Sequence, residues 1–130
     1  MTFYVDSAVL VVEDEPGQLL IAKTILEKAG YRVLTAASGL HALEVVHELN
    51  EPLLVLVTDV DMPDMNGRVL AEQLRNQQGD LKVLYLTAHS EKLFAKGAIL
   101  GDQDAFLEKP VSSAALTEAV HLLLRRIRPG

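Results

Sequence analysis

The run Leu53-Leu54-Val55-Leu56-Val57-Thr58-Asp59 constrains the fold more than any other stretch of this chain. It is apolar over the length of a strand, the pattern of a strand covered on both faces. It then delivers acids at Asp59, Asp61 and Asp64, and Pro63 and Gly67 force a loop around them. Carboxylates at the mouth of a dry interior must be paired, hydrated or metal-bound. Asp59 is therefore expected to be a reactive group at the tip of a central strand.

The rest of the chain supplies the setting for that strand. Ala8 to Val12 is a short apolar run that stops at Glu13-Asp14-Glu15-Pro16-Gly17, with Pro16 suited to a first helical turn behind an acidic cap. Leu19, Leu20, Ala22, Ile25, Leu26 and Ala29 then recur at helical spacing, and Gly30 supplies the stop. Residues 31–36 read as a second, more polar strand. Ser38 caps a helix carrying Leu40, Leu43, Val46 and Leu49, closed by Asn50 and Pro52. After the central run, Gly67 opens a helix with Val69, Leu70 and Leu74.

Residues 83–86 form a fourth strand with Thr87-Ala88-His89-Ser90 as its exit. Residues 91–100 are a weaker helix, interrupted by Gly97, and are expected to be the most mobile part of the chain. Ala105-Phe106-Leu107 is a short fifth strand leaving through Glu108-Lys109-Pro110. The last helix starts near Ser112 or Ser113 and carries Leu116, Val120, Leu123, Leu124 and Ile127. Arg125, Arg126 and Arg128 stand at the negative end of its dipole.

Repeated strand–helix alternation predicts an α/β fold, a doubly wound five-stranded parallel sheet with helices on both faces. The most continuously apolar runs, at Ala8, Leu53 and Val83, belong in the middle, and the runs at Tyr31 and Ala105 at the edges. With right-handed crossovers the order is 2-1-3-4-5, and ligands bind at the switch point between the first and third strands.

Bulk properties narrow the function classes. A chain of 130 residues is read as one domain spanning 1–130, with a core at about 7–127. The absence of Cys rules out disulfides and thiol nucleophiles. A net charge of −6 argues against generic binding to nucleic acid or to an anionic membrane. Neither a membrane span nor a signal peptide is legible, so a soluble cytoplasmic protein is expected.

The strand exits place Glu13, Asp14, Asp59, Thr87 and Lys109 on one edge of the predicted sheet. Carboxylates that close raise each other's pKa unless a cation joins them. Hard oxygen donors with room for water favour Mg²⁺ or a similar divalent ion such as Mn²⁺ over zinc. Such an ion with a Lys opposite suits a phosphoryl group, with Asp59 as the nucleophile and the Thr87 hydroxyl as a donor.

Val11-Val12-Glu13-Asp14-Glu15, Thr58-Asp59-Val60-Asp61-Met62-Pro63-Asp64-Met65-Asn66-Gly67, Leu86-Thr87-Ala88 and Phe106-Leu107-Glu108-Lys109-Pro110 together carry a resemblance. The chain resembles the receiver domains of two-component response regulators, essentially end to end, and strand order 2-1-3-4-5 is also that family's order. The resemblance implies a phosphorylation-dependent switch in which Asp59 takes a phosphoryl group from a phosphohistidine on a histidine kinase or histidine phosphotransfer protein. It implies that Glu13 (through water), Asp14, Asp59 and the backbone carbonyl of Asp61 hold Mg²⁺. Lys109 is to bind phosphoryl oxygens, with its bond to Pro110 cis. Thr87 and Phe106 are to shift on phosphorylation and change the face of the fourth helix, fifth strand and fifth helix, where a partner or a second copy docks. The implied protein is a phosphoacceptor that catalyses its own phosphotransfer and slow dephosphorylation rather than a turnover enzyme. Such a domain stands alone or is cut from a hybrid kinase or longer regulator.

Taken singly, each residue also has a plain reading. Glu13-Asp14-Glu15 suits a helix dipole, Thr87 is an ordinary strand-end Thr, Lys109 a solvated loop charge, and Phe106 partly core in any fold. Asp64 caps or solvates its loop, and His41, His47, His89 and His121 lack ligand spacing and read as surface residues. Asp61 and His89, each two residues past a site residue, are read as tuners of acyl-phosphate lifetime. Two enzyme readings compete. Asp59-Val60-Asp61 resembles the Asp-x-Asp of haloacid-dehalogenase-type phosphatases, but that motif follows a first strand. A Toprim-like metal site also uses Asp-x-Asp, but gives no role to Thr87 or Lys109-Pro110.

Overall fold

The computed structural model describes residues 7–93 and 101–125. The elements alternate as β1 (Ala8–Val12), α1 (Pro16–Lys28), β2 (Arg32–Ala36), α2 (Gly39–Glu48), β3 (Val55–Asp59), α3 (Gly67–Arg75), β4 (Val83–Thr87), α4 (Ser90–Leu93), β5 (Asp104–Glu108) and α5 (Ser113–Arg125). The five strands form a single parallel sheet in the order β2-β1-β3-β4-β5, as hydrophobicity predicts. β1, β3 and β4 are buried at every position, whereas the edge strands β2 and β5 are largely half-exposed. The rest of the helix expected over 91–100 lies outside the described residues from 94 on, as do Arg126, Ile127 and Arg128 of the expected last helix.

Strand alternation divides the core in two. Leu10, Val12, Leu56, Val83 and Tyr85 pack beneath α2 and α3 with Ala42, Leu70 and Leu74. Val9, Val11, Val55, Val57, Leu84 and Leu86 pack beneath α1 and α5 with Ala22, Leu26, Leu116, Val120 and Leu123. Because side chains repeat with period two, Glu13 continues the row of Val9 and Val11, and Asp59 that of Val55 and Val57. Lys109 likewise continues the row of Ala105 and Leu107, which pack on the same side. One face of the sheet thus carries an acid, an acid and an ammonium to the same edge, from β1, β3 and β5.

The helix ends follow local chemistry. The Glu15 carboxylate caps α1, accepting from Gly17 N and Gln18 N. Gly30 ends the helix at φ 100°, a conformation that favours glycine, with Gly30 N donating to Glu27 O and Tyr31 N to Leu26 O. Ser38 caps α2 through His41 N, and Asn66 caps α3 through Arg68 N.

Three apolar positions expected to face the core do not. Leu20 is 62% exposed, Leu40 57% and Val69 45%. Each lies beside a buried or half-buried neighbour that fills the inward position of its turn, so helical periodicity overcounted the buried stripe. Phe106 is partly buried, as expected, at 37% exposed on the edge strand β5.

Candidate phosphoacceptor and metal site

Three carboxylates meet at the exits of β1 and β3. Glu13, Asp14 and Asp59 each offer an oxygen, and these atoms lie within 4.8 Å of one another. Glu13 and Asp59 are buried, while Asp14 is open to solvent. β1 and β3 are paired, with Val12 beside Thr58, so the two chain segments leave the sheet together.

Lys109 closes the cluster from β5. Its Nζ donates to Glu13 Oε1 at 2.8 Å and to Gln18 Oε1 at 3.0 Å, and stands 3.5 Å from Asp59 Oδ1. The Lys109–Pro110 peptide is cis, as the resemblance implied. Lys109 N also donates to Thr87 O at 2.7 Å, which carries the strand register past the end of β4 and β5.

The electrostatics are those of a site short of positive charge. Burial, then the Glu13 carboxylate, push the Asp59 carboxyl up to about 6, and Lys109 opposes this without cancelling it. Burial pulls the Lys109 ammonium down, but its hydrogen bond to Glu13 and the nearby Asp59 charge hold it above its ordinary value. Three carboxylates against one ammonium leave two uncompensated charges when all are ionised, which a divalent cation matches. The donors are all hard oxygens, and the exposed Asp14 leaves space for retained water, so the residues fit Mg²⁺. Next to Asp14 lies an open cleft of about 340 Å³ lined by Val60, Asp61, Met62, Pro63 and Asn66.

The remaining predicted residues take distinct places. Thr87 is buried, and its hydroxyl oxygen accepts from His89 N at 3.0 Å. Asp61 is exposed at the cleft. His89 is exposed, with Nδ1 3.4 Å from Glu91. His41, His47 and His121 are exposed as expected, but His121 is not solitary: its Nδ1 lies 2.6 Å from Tyr31 Oη, linking α5 to the start of β2.

Three features escaped the sequence. Gly67 N donates to Val60 O at 2.8 Å, and a Cβ on Gly67 would come within 2.2 Å of Asp59 O. Only glycine lets the start of α3 approach the back of the acidic strand that closely. Asp64 caps a neighbouring helix as well as its own loop: its carboxylate accepts from Leu40 N at 2.9 Å and Gly39 N at 3.3 Å, and these contacts, with the N–H groups of its own loop, hold its pKa below the ordinary value. The 25-residue separation hides that pairing from any local pattern. Gln18 on Lys109 is the third, and a single glutamine in a helix carries no signal of its own.

Comparison with known proteins agrees with this geometry. Residues 9–121 match the family model described as the response regulator receiver domain. The chain is 35% identical over 120 residues to the sensor kinase CckA of Brucella abortus, covering 92% of this chain and 13% of that protein. It is 30% identical to the response regulator SaeR of Staphylococcus aureus, covering 92% of this chain and 51% of SaeR. The chain therefore spans only part of the curated relatives it matches, from about an eighth to half of their length. Among solved structures, the response regulator TrrA of Thermotoga maritima in complex with Mg²⁺-BeF aligns with a TM-score of 0.77 at 28% identity, covering 91% of this chain and 99% of that one.

Proposed function

The chain belongs to the response regulator receiver family, a family of phosphorylation-dependent signalling switches, and from that premise we propose that Asp59 is its phosphoacceptor. The observation that carries the assignment is the Lys109 ammonium, 3.5 Å from Asp59 in a three-carboxylate cluster that suits a divalent cation. An Asp59 oxygen attacks the phosphorus of a phosphohistidine on a histidine kinase or phosphotransfer protein. The O–P bond forms as the P–N bond breaks, and the electron pair returns to the imidazole.

Glu13, Asp14, Asp59 and the Asp61 carbonyl would hold Mg²⁺ (or Mn²⁺), which supplies charge neutralisation for the phosphoryl oxygens. Lys109 binds a phosphoryl oxygen and exchanges its contact with Asp59 for one with the transferred group. The Thr87 hydroxyl oxygen accepts from His89 N, and its own proton is to donate to a phosphoryl oxygen. Turning that proton toward the phosphoryl group draws in the exit of β4, and the exposed Phe106 on the neighbouring strand follows. This changes the α4-β5-α5 face, where a partner or second copy of the chain docks. Asp61 and His89 overhang the site from its two loops and tune the lifetime of the acyl phosphate. No helix among the described residues is long and apolar enough to cross a membrane.

Incubation with Mg²⁺ and acetyl phosphate, followed by intact mass measurement, tests the assignment. One phosphoryl adduct is expected, lost in Asp59→Ala. Multiple turnover on phosphoesters or cleavage of DNA would instead favour the phosphatase-like or Toprim-like readings and would overturn this one.

A further inference from the structure

Lysine is a poor choice for a fixed charge unless something fixes it. Its ammonium is a compact point charge on a flexible stem, with about 2 kcal/mol of rotamer entropy to lose. In this site the three ammonium protons have three oxygen acceptors within reach: Glu13 Oε1 at 2.8 Å, Gln18 Oε1 at 3.0 Å and Asp59 Oδ1 at 3.5 Å. Two of the three belong to the acid cluster. The third is neutral and comes from α1.

Gln18 stands where a helix would ordinarily use it locally. With Glu15 as the N-cap, Gln18 occupies the third helical position, the place from which a Gln side chain reaches back to the cap's own N–H in a capping box. Here that N–H is already taken, because Glu15 N donates to Glu13 Oε2 at 3.2 Å. The Gln18 side chain is thereby released from its local role and turns to Lys109 across 91 residues of sequence. Its backbone is still fixed, since Gln18 N donates to Glu15 Oε2 at 2.7 Å.

We propose that Gln18 is a positioning residue for phosphoryl transfer, holding the Lys109 ammonium over Asp59 from the α1 side. The inference rests on the reading of Lys109 and Asp59 given above. A neutral amide suits this task better than an acid. Asp59 and Glu13 are to be drawn on by the cation and the phosphoryl group during the reaction, and their hold on Lys109 weakens when they are. Gln18 lies outside the acid cluster, so its hold persists. A carboxylate in its place would compete with Asp59 for the ammonium and deepen the negative charge of the site. Gln18 is exposed and also lines a groove of about 560 Å³ with Ile21, Ile25 and Lys109, so its loss would leave solvent in contact with the ammonium rather than a packing void in the core.

The test compares wild type, Gln18→Ala and Gln18→Glu. Phosphorylation by acetyl phosphate is followed across donor concentrations with Mg²⁺, and the Lys109 ammonium ¹⁵N–¹H signal is followed by NMR in the metal-free protein. Gln18→Ala is expected to slow phosphorylation about three- to tenfold, the worth of one ordinary hydrogen bond at a solvent-exposed site. The Lys109 signal should broaden or exchange faster, while the unfolding midpoint stays at the wild-type value. Gln18→Glu is expected to slow the reaction as well, but with the Lys109 signal still protected, a split that general damage to α1 would not produce. Wild-type rates together with an unchanged Lys109 signal in Gln18→Ala would overturn the proposal. Should wild type itself form no adduct, the assignment of Asp59 has failed, and the Lys109 signal alone then decides whether Gln18 positions the ammonium.

Discussion

β3 and β5 both end in the candidate site, yet they are built differently. β3 is buried at every position and lies at the centre of the sheet, between β1 and β4. β5 pairs with β4 alone and alternates between half-buried and exposed residues. The first delivers Asp59 and the second Phe106 and Lys109. A nucleophile gains from a frame that cannot yield, because a close-packed interior holds geometry tightly. A responding element gains from few packing contacts to break, since low local stability is what permits movement at modest cost. On the proposed assignment the sheet would separate the two tasks by depth, with acceptance of the phosphoryl group at its buried centre and the response at its more exposed edge.

The sharpest way to break this contrast is to truncate one residue in each strand. Leu56→Ala in β3 is expected to cost about 3–5 kcal/mol in chemical denaturation, since Leu56 is fully buried. Phe106→Ala in β5 should cost only about 1 kcal/mol despite removing a larger side chain, because that ring is already 37% exposed. Equal losses in the two variants would mean that edge and centre are equally committed to the fold, and the division of labour would fail.

Next in size is Gly67→Ala. Its Cβ would meet the Asp59 carbonyl oxygen at 2.2 Å, so backbone must move, at a cost of about 2–3 kcal/mol. Because the obstructing atom belongs to Asp59, phosphorylation by acetyl phosphate should drop along with stability. Wild-type labelling in a destabilised Gly67→Ala would show that the tip of β3 is less rigid than the contrast requires.

A smaller effect concerns pH. The Asp59 carboxyl rises from 3.8 to about 6 on folding. A raised carboxyl pKa means the folded chain holds the proton more tightly, so its stabilising contribution is complete at low pH and is lost as pH rises through about 6. In metal-free protein, urea unfolding should show this fall, about 1–2 kcal/mol after allowing for solvent screening. Asp59→Asn should flatten it, and Mg²⁺ should restore stability to wild type at neutral pH. A profile unchanged by Asp59→Asn would remove the claim that the tip of β3 is electrostatically strained.

A comparable loss, about 1–2 kcal/mol at neutral pH, is expected from Lys109→Ala, which leaves the buried Glu13 carboxylate without its ammonium. Labelling of Asp59 should fall much more steeply, since the residue acts on the transferred group. A variant that lost stability and kept labelling would reverse the assignment of β5 to response and chemistry.

Much of the molecule was legible in its residues, and the failures share a cause. Continuous apolar runs placed β1, β3 and β4 at the centre, because only a strand covered on both faces can dispense with polar alternation. Polar punctuation located Glu15, Ser38 and Gly30 at helix ends, because capping is a matter of neighbours a few residues apart. Glu13, Asp14, Asp59 and Lys109 were found together because parallel strands must all exit at one edge. Leu20, Leu40 and Val69 were misplaced because periodicity identifies a stripe without fixing how wide the sheet below it is.

The residues alone therefore determined the order of the elements, the sheet they build and the edge at which the acids gather. These follow from hydrophobic period, turn chemistry and chirality, all of which act over short stretches of chain. Tertiary structure alone decided that Asp64 caps α2, that Gly67 backs onto the Asp59 carbonyl, and that Gln18 reaches Lys109. Each of those is a contact of hydrogen-bond or van der Waals length, set by how helices seat on the sheet rather than by local pattern. Depth is of the other kind: β3 and β5 both end in residues of the site, and their apolar patterns already set one at the centre and the other at the edge.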